Sequence, residues 1–246
     1  SRFTKYIRCG MKEFLRAGDR IFEDILHSLF GNDIMFLLMK GLCETIYMVG
    51  FSIVFAVIFG LPLGILLTLT RPDSIKPMPL LNKTLGWVVN MIRSFPFMVL
   101  IIALLPIFRH LIGISTGSSA AIIALSIAAI PFIARLFEGA LLEVSKDLIE
   151  ATQSMGANTW IIITMMLSES RPALVNAIVI TSVSLIGYSA MAGIVGGGGL
   201  GDLAYRLGFN SFREDILLYA VLITMVLVQV IQSSGDGIVK ILRKHR

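Results

Sequence analysis

The feature that most constrains this chain is a series of long stretches without charged side chains. Four runs contain no Asp, Glu, Lys or Arg, and a fifth contains only Arg93. In chain order the five runs are Ile46–Leu69, Leu85–Phe108, Ile114–Ala134, Ala173–Leu200 and Ile216–Gly235. A bilayer core about 30 Å thick needs about 20 apolar residues per helix, because only a helix satisfies its own backbone hydrogen bonds there. The sequence predicts an all-α membrane protein, a polytopic helical bundle of five transmembrane helices.

Composition supports the membrane class and argues against several others. Hydrophobic residues make up 56% of the 246 and charged residues only 15%, whereas soluble domains carry about 25% charged residues. Two cysteines, Cys9 and Cys43, are too few for a disulfide framework. The first thirty residues are charged throughout, which predicts no cleavable signal peptide. We attribute the net charge of +5 to membrane topology and predict no nucleic-acid partner.

The sequence offers no candidate for catalysis or for binding ATP. The three histidines, His27, His110 and His245, lie outside the five runs and show no metal-ligand spacing. The phosphate-binding pattern G-x-x-x-x-G-K-[ST] is absent from the sequence. We therefore predict that this chain has no enzymatic activity and binds no metal or cofactor of its own.

Basic residues predict the orientation, because short loops rich in Lys and Arg stay in the cytoplasm. One side holds eleven: Arg71, Lys76, Lys83, Arg93, Arg135, Lys146, Arg171, Lys240, Arg243, Lys244 and Arg246. The opposite loops hold three: Arg109, Arg206 and Arg213. This predicts a cytoplasmic C-terminus and, with five spans, an external N-terminus. Six basic residues before Lys40 favour the reverse for the N-terminal part. We predict an amphipathic extension over residues 1–33 preceding a transmembrane domain over 34–246.

Proline and glycine are placed where they are expected to break the spans. Gly60–Gly64 is expected to break the first, Pro96 and Pro106 the second, and Pro131 the third. The breaks favour a moving bundle that contains a cavity, although kinks that merely permit packing are an alternative of similar weight.

Residues 136–171, between the third and fourth runs, are too polar to span and are compatible with helix. Glu143, Asp147 and Glu150 have the i, i+4, i+7 spacing of one helical face. Gly156 is expected to end that helix, since glycine adopts positive φ easily. A second short helix is predicted around Trp160–Leu167. The two helices would form a compact projection suited to a groove on a partner.

Several motifs give this sequence a family resemblance. Glu150–Ala157 resembles the E-A-A-x-x-x-G loop of permease subunits of binding-protein-dependent ABC importers, and Arg93–Phe97 resembles their R-S-x-P-F signature. Segments similar to methionine importer permeases are Thr70–Pro72, Ala129–Arg135, Gly187–Met191 and Gly196–Gly201. The resemblance extends from about residue 34 to the C-terminus.

The resemblance implies a type I ABC importer permease fold and a homodimer. It also implies a transport subunit that works with two separate ATPase subunits, which bind ATP and magnesium. An extracytoplasmic binding protein and a location in the bacterial plasma membrane are implied as well. The implied cargo is a small amino acid, most of all methionine in its D or L form, with another amino acid or a short peptide as the alternative. The implied coupling residues are Glu150, Ala151, Met155, Gly156, Ala157 and Trp160, and the implied structural signature is Arg93, Ser94, Pro96 and Pro131. The chain departs from the family at Ser168-Glu169, where Leu-Pro is usual.

The fourth run offers a candidate translocation path. Thr181, Ser184, Tyr188 and Met191 share one helical face, which suits a small zwitterion with an apolar tail, but hydroxyls at this spacing equally serve helix packing. Gly196–Gly201 matches G-x-G-x-x-G without the strand that a dinucleotide site requires, so we predict a sharp turn there.

Two rival functions are less well supported. An ion-driven secondary transporter should show inverted repeats and intramembrane carboxylates, and a membrane-embedded enzyme should show clustered His, Asp or Glu. We find neither pattern in the sequence.

Overall fold

The structure, a computed structural model, describes residues 33–111 and 117–244, and every regular element in these ranges is a helix. The helices are α1 (Asp33–Leu69), α2 (Pro79–Ser94), α3 (Phe97–Leu111), α4 (Ser118–Leu142), α5 (Lys146–Ser154), α6 (Thr159–Glu169), α7 (Arg171–Ile194), α8 (Gly199–Leu203), a π-helical segment (Ala204–Phe209) and α9 (Glu214–Lys244). The predicted amphipathic extension lies outside the described residues, apart from Asp33.

Four of these helices, α1, α4, α7 and α9, are long and apolar enough to cross a membrane. The pair α2 and α3 makes a fifth span only if the two are counted together. The predicted break of the second span at Pro96 is therefore present, between α2 and α3. The break falls at Phe95, whose backbone is extended (φ −73°, ψ 128°), because the ring of Pro96 disfavours helical conformation in the residue before it.

The other span limits also differ from the uncharged runs. α1 begins at Asp33 and includes Lys40 and Glu44, and α4 continues past Arg135 and Glu138 to Leu142. A helix can include charged residues where they have partners. The end of an uncharged run therefore does not have to be the end of a helix. The fourth span is shorter at its end than predicted: α7 stops at Ile194, before the glycine-rich turn, although the uncharged run continues to Leu200.

Most of the expected breaks are absent. Pro62, Pro106 and Pro131 lie inside α1, α3 and α4, since a single proline removes one backbone hydrogen bond without having to end a helix. The prediction that these positions break the spans is wrong, and only Pro96 lies at an interruption.

Contacts divide the described residues into two compact units, to which α1, α4, α7 and α9 each contribute. The first unit takes described residues within 33–48, 98–124 and 187–226. The second takes those within 49–97, 125–186 and 227–244.

The glycine segment, Gly196–Gly201, belongs to the first unit and turns sharply, as predicted. Positive φ occurs at Gly196 (85°), Gly198 (83°) and Gly199 (81°). Two side chains of α1 hold the segment: the Gly199 N–H donates to Glu44 Oε2 at 2.7 Å, and the Leu200 N–H donates to Thr45 Oγ1 at 3.0 Å. The helix α7, not a strand, precedes it, so the G-x-G-x-x-G pattern here builds a packed turn.

In the second unit, two glycines bring α1 against α4. A Cβ at Gly60 would overlap the Ile133 side chain, and one at Gly64 would lie 2.9 Å from the Ala134 carbonyl oxygen and 2.9 Å from Phe137 Cβ. Gly60 and Gly64 are one turn apart on one face, the small-residue spacing that lets membrane helices approach closely.

Candidate coupling site

The candidate site begins where α4 gives way to α5. Residues 143–145 connect the helices, with Ser145 extended at the N-cap of α5 (φ −61°, ψ 138°). Val144 is buried at 7% exposure, and residues 143–145 are not helical. Glu143 therefore lies outside α5, and the prediction that it shares a helical face with Asp147 and Glu150 is wrong.

Gly156 ends the first short helix, as predicted. α5 runs from Lys146 to Ser154, and Gly156 follows with φ 79°. The Gly156 N–H donates to the Gln153 carbonyl at 2.9 Å, and the Ala157 N–H donates to the Thr152 carbonyl at 3.3 Å. This pair of bonds satisfies carbonyls that a helix end otherwise leaves open and requires the left-handed conformation at one residue.

The second short helix, α6, covers Thr159–Glu169, slightly more than the predicted residues 160–167. Asn158 caps its start, its Oδ1 accepting from the Ile161 N–H at 2.9 Å. Ser168 and Glu169 are helical, and Ser170 forms the C-cap before α7 begins at Arg171. Leu-Pro is usual at these two positions in the family that the sequence resembles. With Ser168 and Glu169 there instead, α6 continues through both residues.

A small apolar core holds these helices to the end of α4. Leu141, Val144, Ile162 and Met166 are buried together, and each such side chain contributes roughly 1.5–3 kcal/mol when removed from water. Ile65, Ile75 and Ile149 pack against them. We call residues Lys146–Glu169, seated on this core, the knob.

The outer surface of the knob exposes two large apolar side chains. Met155 is 79% exposed and Trp160 73%. Glu150, Ala151 and Gly156 are also exposed, and Ala157 is partly exposed. Large side chains displayed around a short polar helix are typical of a protein interaction site.

A cavity of about 400 Å³ adjoins the knob within the second unit. Residues from the end of α1, the turn at 71–75, the end of α4 and α5 line it. Its walls carry two cations, Arg71 and Lys146, and two carboxylates, Asp73 and Glu150. Among the described residues no group of three or more His, Cys, Asp or Glu could hold a metal ion.

The predicted signature residues lie around the break between α2 and α3 and inside α4. The Arg93 guanidinium lies 5.8 Å from the ring centre of Phe132, a cation–π distance. Ser94 Oγ donates to the Asn90 carbonyl at 2.8 Å. Pro96 is exposed, whereas Pro131 is buried within α4.

The predicted path residues all lie on α7 but differ in exposure. Thr181 is buried at 1%, and its Oγ1 donates to the Ala177 carbonyl at 2.7 Å. Ser184 and Tyr188 are partly exposed, and Met191 is 43% exposed. Thr181 therefore agrees with the alternative that these hydroxyls serve helix packing. A translocation path along this face of α7 stays a prediction.

Sequence reasoning missed a cluster around Glu138. This carboxylate pairs with Arg135 and Arg71, and Asn82 Nδ2 donates to the Leu67 carbonyl at 2.7 Å and to Thr70 Oγ1 at 3.0 Å. The available signal was a glutamate beside an arginine at the end of an apolar run.

Comparison with known proteins is decisive. Residues 60–246 match the profile of the family described as "Binding-protein-dependent transport system inner membrane component". The chain belongs to this family. It is therefore an inner-membrane component of a transport system, as its motifs predicted.

Individual relatives are similar over most of their length. The chain is 46% identical over 205 residues to the probable D-methionine transport system permease protein MetI of Vibrio cholerae, covering 83% of this chain and 91% of that protein. It is 44% identical to the methionine import system permease protein MetP of Bacillus subtilis, covering 73% of this chain and 82% of the relative. A solved structure of the MetNI methionine ABC transporter in an inward-facing conformation matches with a TM-score of 0.84 and 42% identity, over 86% of this chain and 98% of that one. These similarities confirm the type I ABC importer permease fold.

Proposed function

We propose that this chain is the membrane-spanning subunit of an ATP-driven importer of methionine. The observation that carries the proposal is the knob. Two short helices turn at a left-handed Gly156 and expose Met155 and Trp160 beside the Glu150-Ala151 motif. The relatives' names supply the cargo, since two of them, with 46% and 44% identity, are named for D-methionine transport and methionine import.

The proposed mechanism assigns docking to the knob. Met155, Ala157 and Trp160 provide apolar contacts for a cleft on the ATPase, and Glu150 and Ala151 form the adjoining helical face. Two copies of this chain and two ATPase subunits form the transporter, with ATP and magnesium bound on the ATPases. A binding protein delivers the amino acid on the outer face.

The proposed topology places the knob, the turn at 71–75 and the C-terminus in the bacterial cytoplasm. The excess of Lys and Arg in these segments supports this side. Residues 34–246 form the permease domain in this proposal, and residues 1–33 form an added extension.

For the translocation path we propose the exposed part of α7. Ser184 Oγ donates to the Ile180 carbonyl at 2.9 Å, which leaves its oxygen able to accept a bond from an ammonium group. Tyr188 and Met191 would contact an apolar side chain of the cargo. The buried Thr181 would act by packing.

Docking is tested with a matched tryptophan pair. Trp160→Ala should lower the amount of ATPase that co-purifies with the detergent-solubilised chain, by roughly ten-fold or more if Trp160 is an interface hot spot. Trp87, on α2 outside the knob, is 63% exposed compared with 73% for Trp160, so Trp87→Ala is the control and should leave retention unchanged. Equal retention in both variants, or no ATPase on the parent chain, would contradict the docking proposal.

The cargo is tested by uptake into proteoliposomes that contain the chain with its ATPase and binding protein. Labelled methionine should accumulate only with ATP, and unlabelled L- or D-methionine should compete better than other amino acids or short peptides. Stronger competition by another amino acid would mean that this amino acid, and not methionine, is the cargo. The proposal of an ATP-driven importer would still hold. Uptake driven by an ion gradient without ATP would favour the secondary-transporter alternative.

A further inference from the structure

Glu138 is a charged residue buried in the second unit, one turn before the end of α4. Its side chain is 7% exposed. A carboxylate taken out of water is costly unless it is paired, so such a residue is placed by its partners and breaking the pair is strongly unfavourable.

The partners of Glu138 come from two segments and extend to a third. Arg135 Nη1 lies 2.6 Å from Glu138 Oε2, and Arg71 Nε lies 3.8 Å from Glu138 Oε1. Arg135 Nη2 also donates to the Gly86 carbonyl at 3.0 Å. The carboxylate thus connects α4 with the turn after α1 directly, and with the backbone of α2 through Arg135.

Other contacts hold the same three helices together. Asn82 of α2 donates to the carbonyl of Leu67 in α1 and to the hydroxyl of Thr70, the residue that follows α1. Gly60 and Gly64 let α1 pack closely against α4. Each pair among α1, α2 and α4 therefore has its own contact, and Glu138 takes part in two of the connections.

The knob is fastened to the same end of α4. The apolar core of Leu141, Val144, Ile162 and Met166 begins three residues after Glu138 and includes Ile65 of α1 at its edge. A displacement of the knob therefore reaches α4 next to the Glu138 cluster.

We propose that Glu138 is a positioning residue for coupling, whose ion pairs make α1, α2 and α4 move together with the knob. This inference rests on the proposed function, because it assumes that an ATPase moves the knob. Arg135 supplies the close pair, and Arg71, whose side chain is 46% exposed, supplies the weaker one. Without Glu138 the two arginines lose their common anion, and the three helices lose one fixed connection.

A distance measurement tests the connection directly. Spin labels are placed on the exposed Lys83 of α2 and Gln153 of the knob as cysteines, with Cys9 and Cys43 replaced by serine. The transporter is assembled with its ATPase from one labelled and one unlabelled copy of the chain, so that only the distance within one chain is measured. The parent should give one narrow distance that is the same without nucleotide and with ATP and vanadate. Glu138→Gln should broaden or shift that distance. A parent distance that changes with nucleotide, or a variant that matches the parent, would overturn the proposal.

Coupling efficiency gives the second readout. In proteoliposomes Glu138→Gln should lower the substrate transported per ATP hydrolysed by roughly 2- to 30-fold, with the ATPase still retained and active. Glu143→Gln neutralises an exposed carboxylate just after α4 and should match the parent. A merely structural role for Glu138 would lower the yield of folded protein but leave this ratio unchanged.

Arg71→Gln keeps the inference testable if Glu138→Gln does not fold, because it removes only the weaker pair. It should lower the same ratio by a smaller factor, and an unchanged ratio in the only folded variant would overturn the proposal. If the parent retains no ATPase, the proposed function fails. If the parent retains and drives the ATPase while the variants match it, only the role of Glu138 fails.

Discussion

The knob and the glycine segment both depend on left-handed glycines, but in opposite surroundings. A Cβ on Gly156 would meet no atom within 4 Å, whereas a Cβ on Gly198 or Gly199 would lie less than 3 Å from side-chain atoms of α1. One turn needs glycine for backbone conformation alone, and the other needs it for conformation and for space. The open turn lies on a surface suited to a partner, and the closed turn belongs to the internal packing of the first unit.

The largest effect is expected at Gly201, where space alone is limiting. A Cβ there would collide with the backbone of Ala190, and backbone cannot rotate away as a side chain can. Gly201→Ala should destabilise the protein by about 3 kcal/mol, measured by thermal unfolding in detergent. Gly187→Ala, on α7 with nothing within 4 Å of its Cβ position, is the control and should not destabilise. Equal melting temperatures would show that the glycine segment is not closely packed.

Removing one anchor of the glycine segment should have the next largest effect. Thr45 Oγ1 accepts from the Leu200 N–H, and Thr45→Val leaves that buried donor without its partner at a cost of about 1–3 kcal/mol. Thr68→Val is matched to it, because Thr68 is also buried in α1 and its Oγ1 donates to the carbonyl of Gly64 in its own helix. The melting temperature should fall further for Thr45→Val. The opposite order would argue that the contact with Leu200 is unimportant.

Gly156→Ala should destabilise the protein less than Gly201→Ala or Thr45→Val, but should reduce binding of the ATPase more than either. The left-handed conformation costs a residue with a Cβ about 1–2 kcal/mol, and no steric overlap adds to it. We expect a small fall in melting temperature but a clear fall in ATPase retention, since the strained turn redirects α6 and Trp160. Gly139→Ala, in α4 with open space around it, should retain the ATPase fully. Full ATPase retention by Gly156→Ala would show that docking does not depend on the conformation of this turn.

The smallest expected effect is a gain at Phe212. This residue has φ 55° and is 89% exposed, so it bears the left-handed cost without a buried side chain. Phe212→Gly should stabilise the protein by about 0.5 kcal/mol, the relief of strain less the entropy of glycine. Phe209→Gly, at an exposed position inside the π-helical segment, should instead destabilise. A loss at Phe212 would mean that its exposed ring makes a stabilising contact with detergent or lipid.

Some of this structure could be predicted because single residues determine it. Gly156 is a glycine at the end of a polar helical stretch, and its φ requirement can be inferred from the sequence around it. The uncharged runs likewise indicated the spans. Pro96 was correctly placed at an interruption, since its effect on Phe95 is local.

Other features depend on partners that no local pattern identifies. Pro62 and Pro131 have the same chemistry as Pro96 yet lie inside helices, because the surrounding packing decides whether a helix resumes. The helices include Glu44 and Glu138, and each carboxylate has a partner far along the chain: the Gly199 N–H for Glu44 and Arg71 for Glu138. The Gly199 N–H that Glu44 binds is 155 residues away, a pairing that neither composition nor periodicity indicates.

The exposed Trp160 also gives the molecule an optical reporter. The chain has two tryptophans, and the other, Trp87, lies outside the knob. With Trp87 replaced by phenylalanine, all indole fluorescence of this chain comes from the surface proposed to meet the ATPase, and a tryptophan-free ATPase would keep the signal specific. Burial of that ring in a cleft would shift its emission to shorter wavelength, so docking and release could be followed in real time without a label.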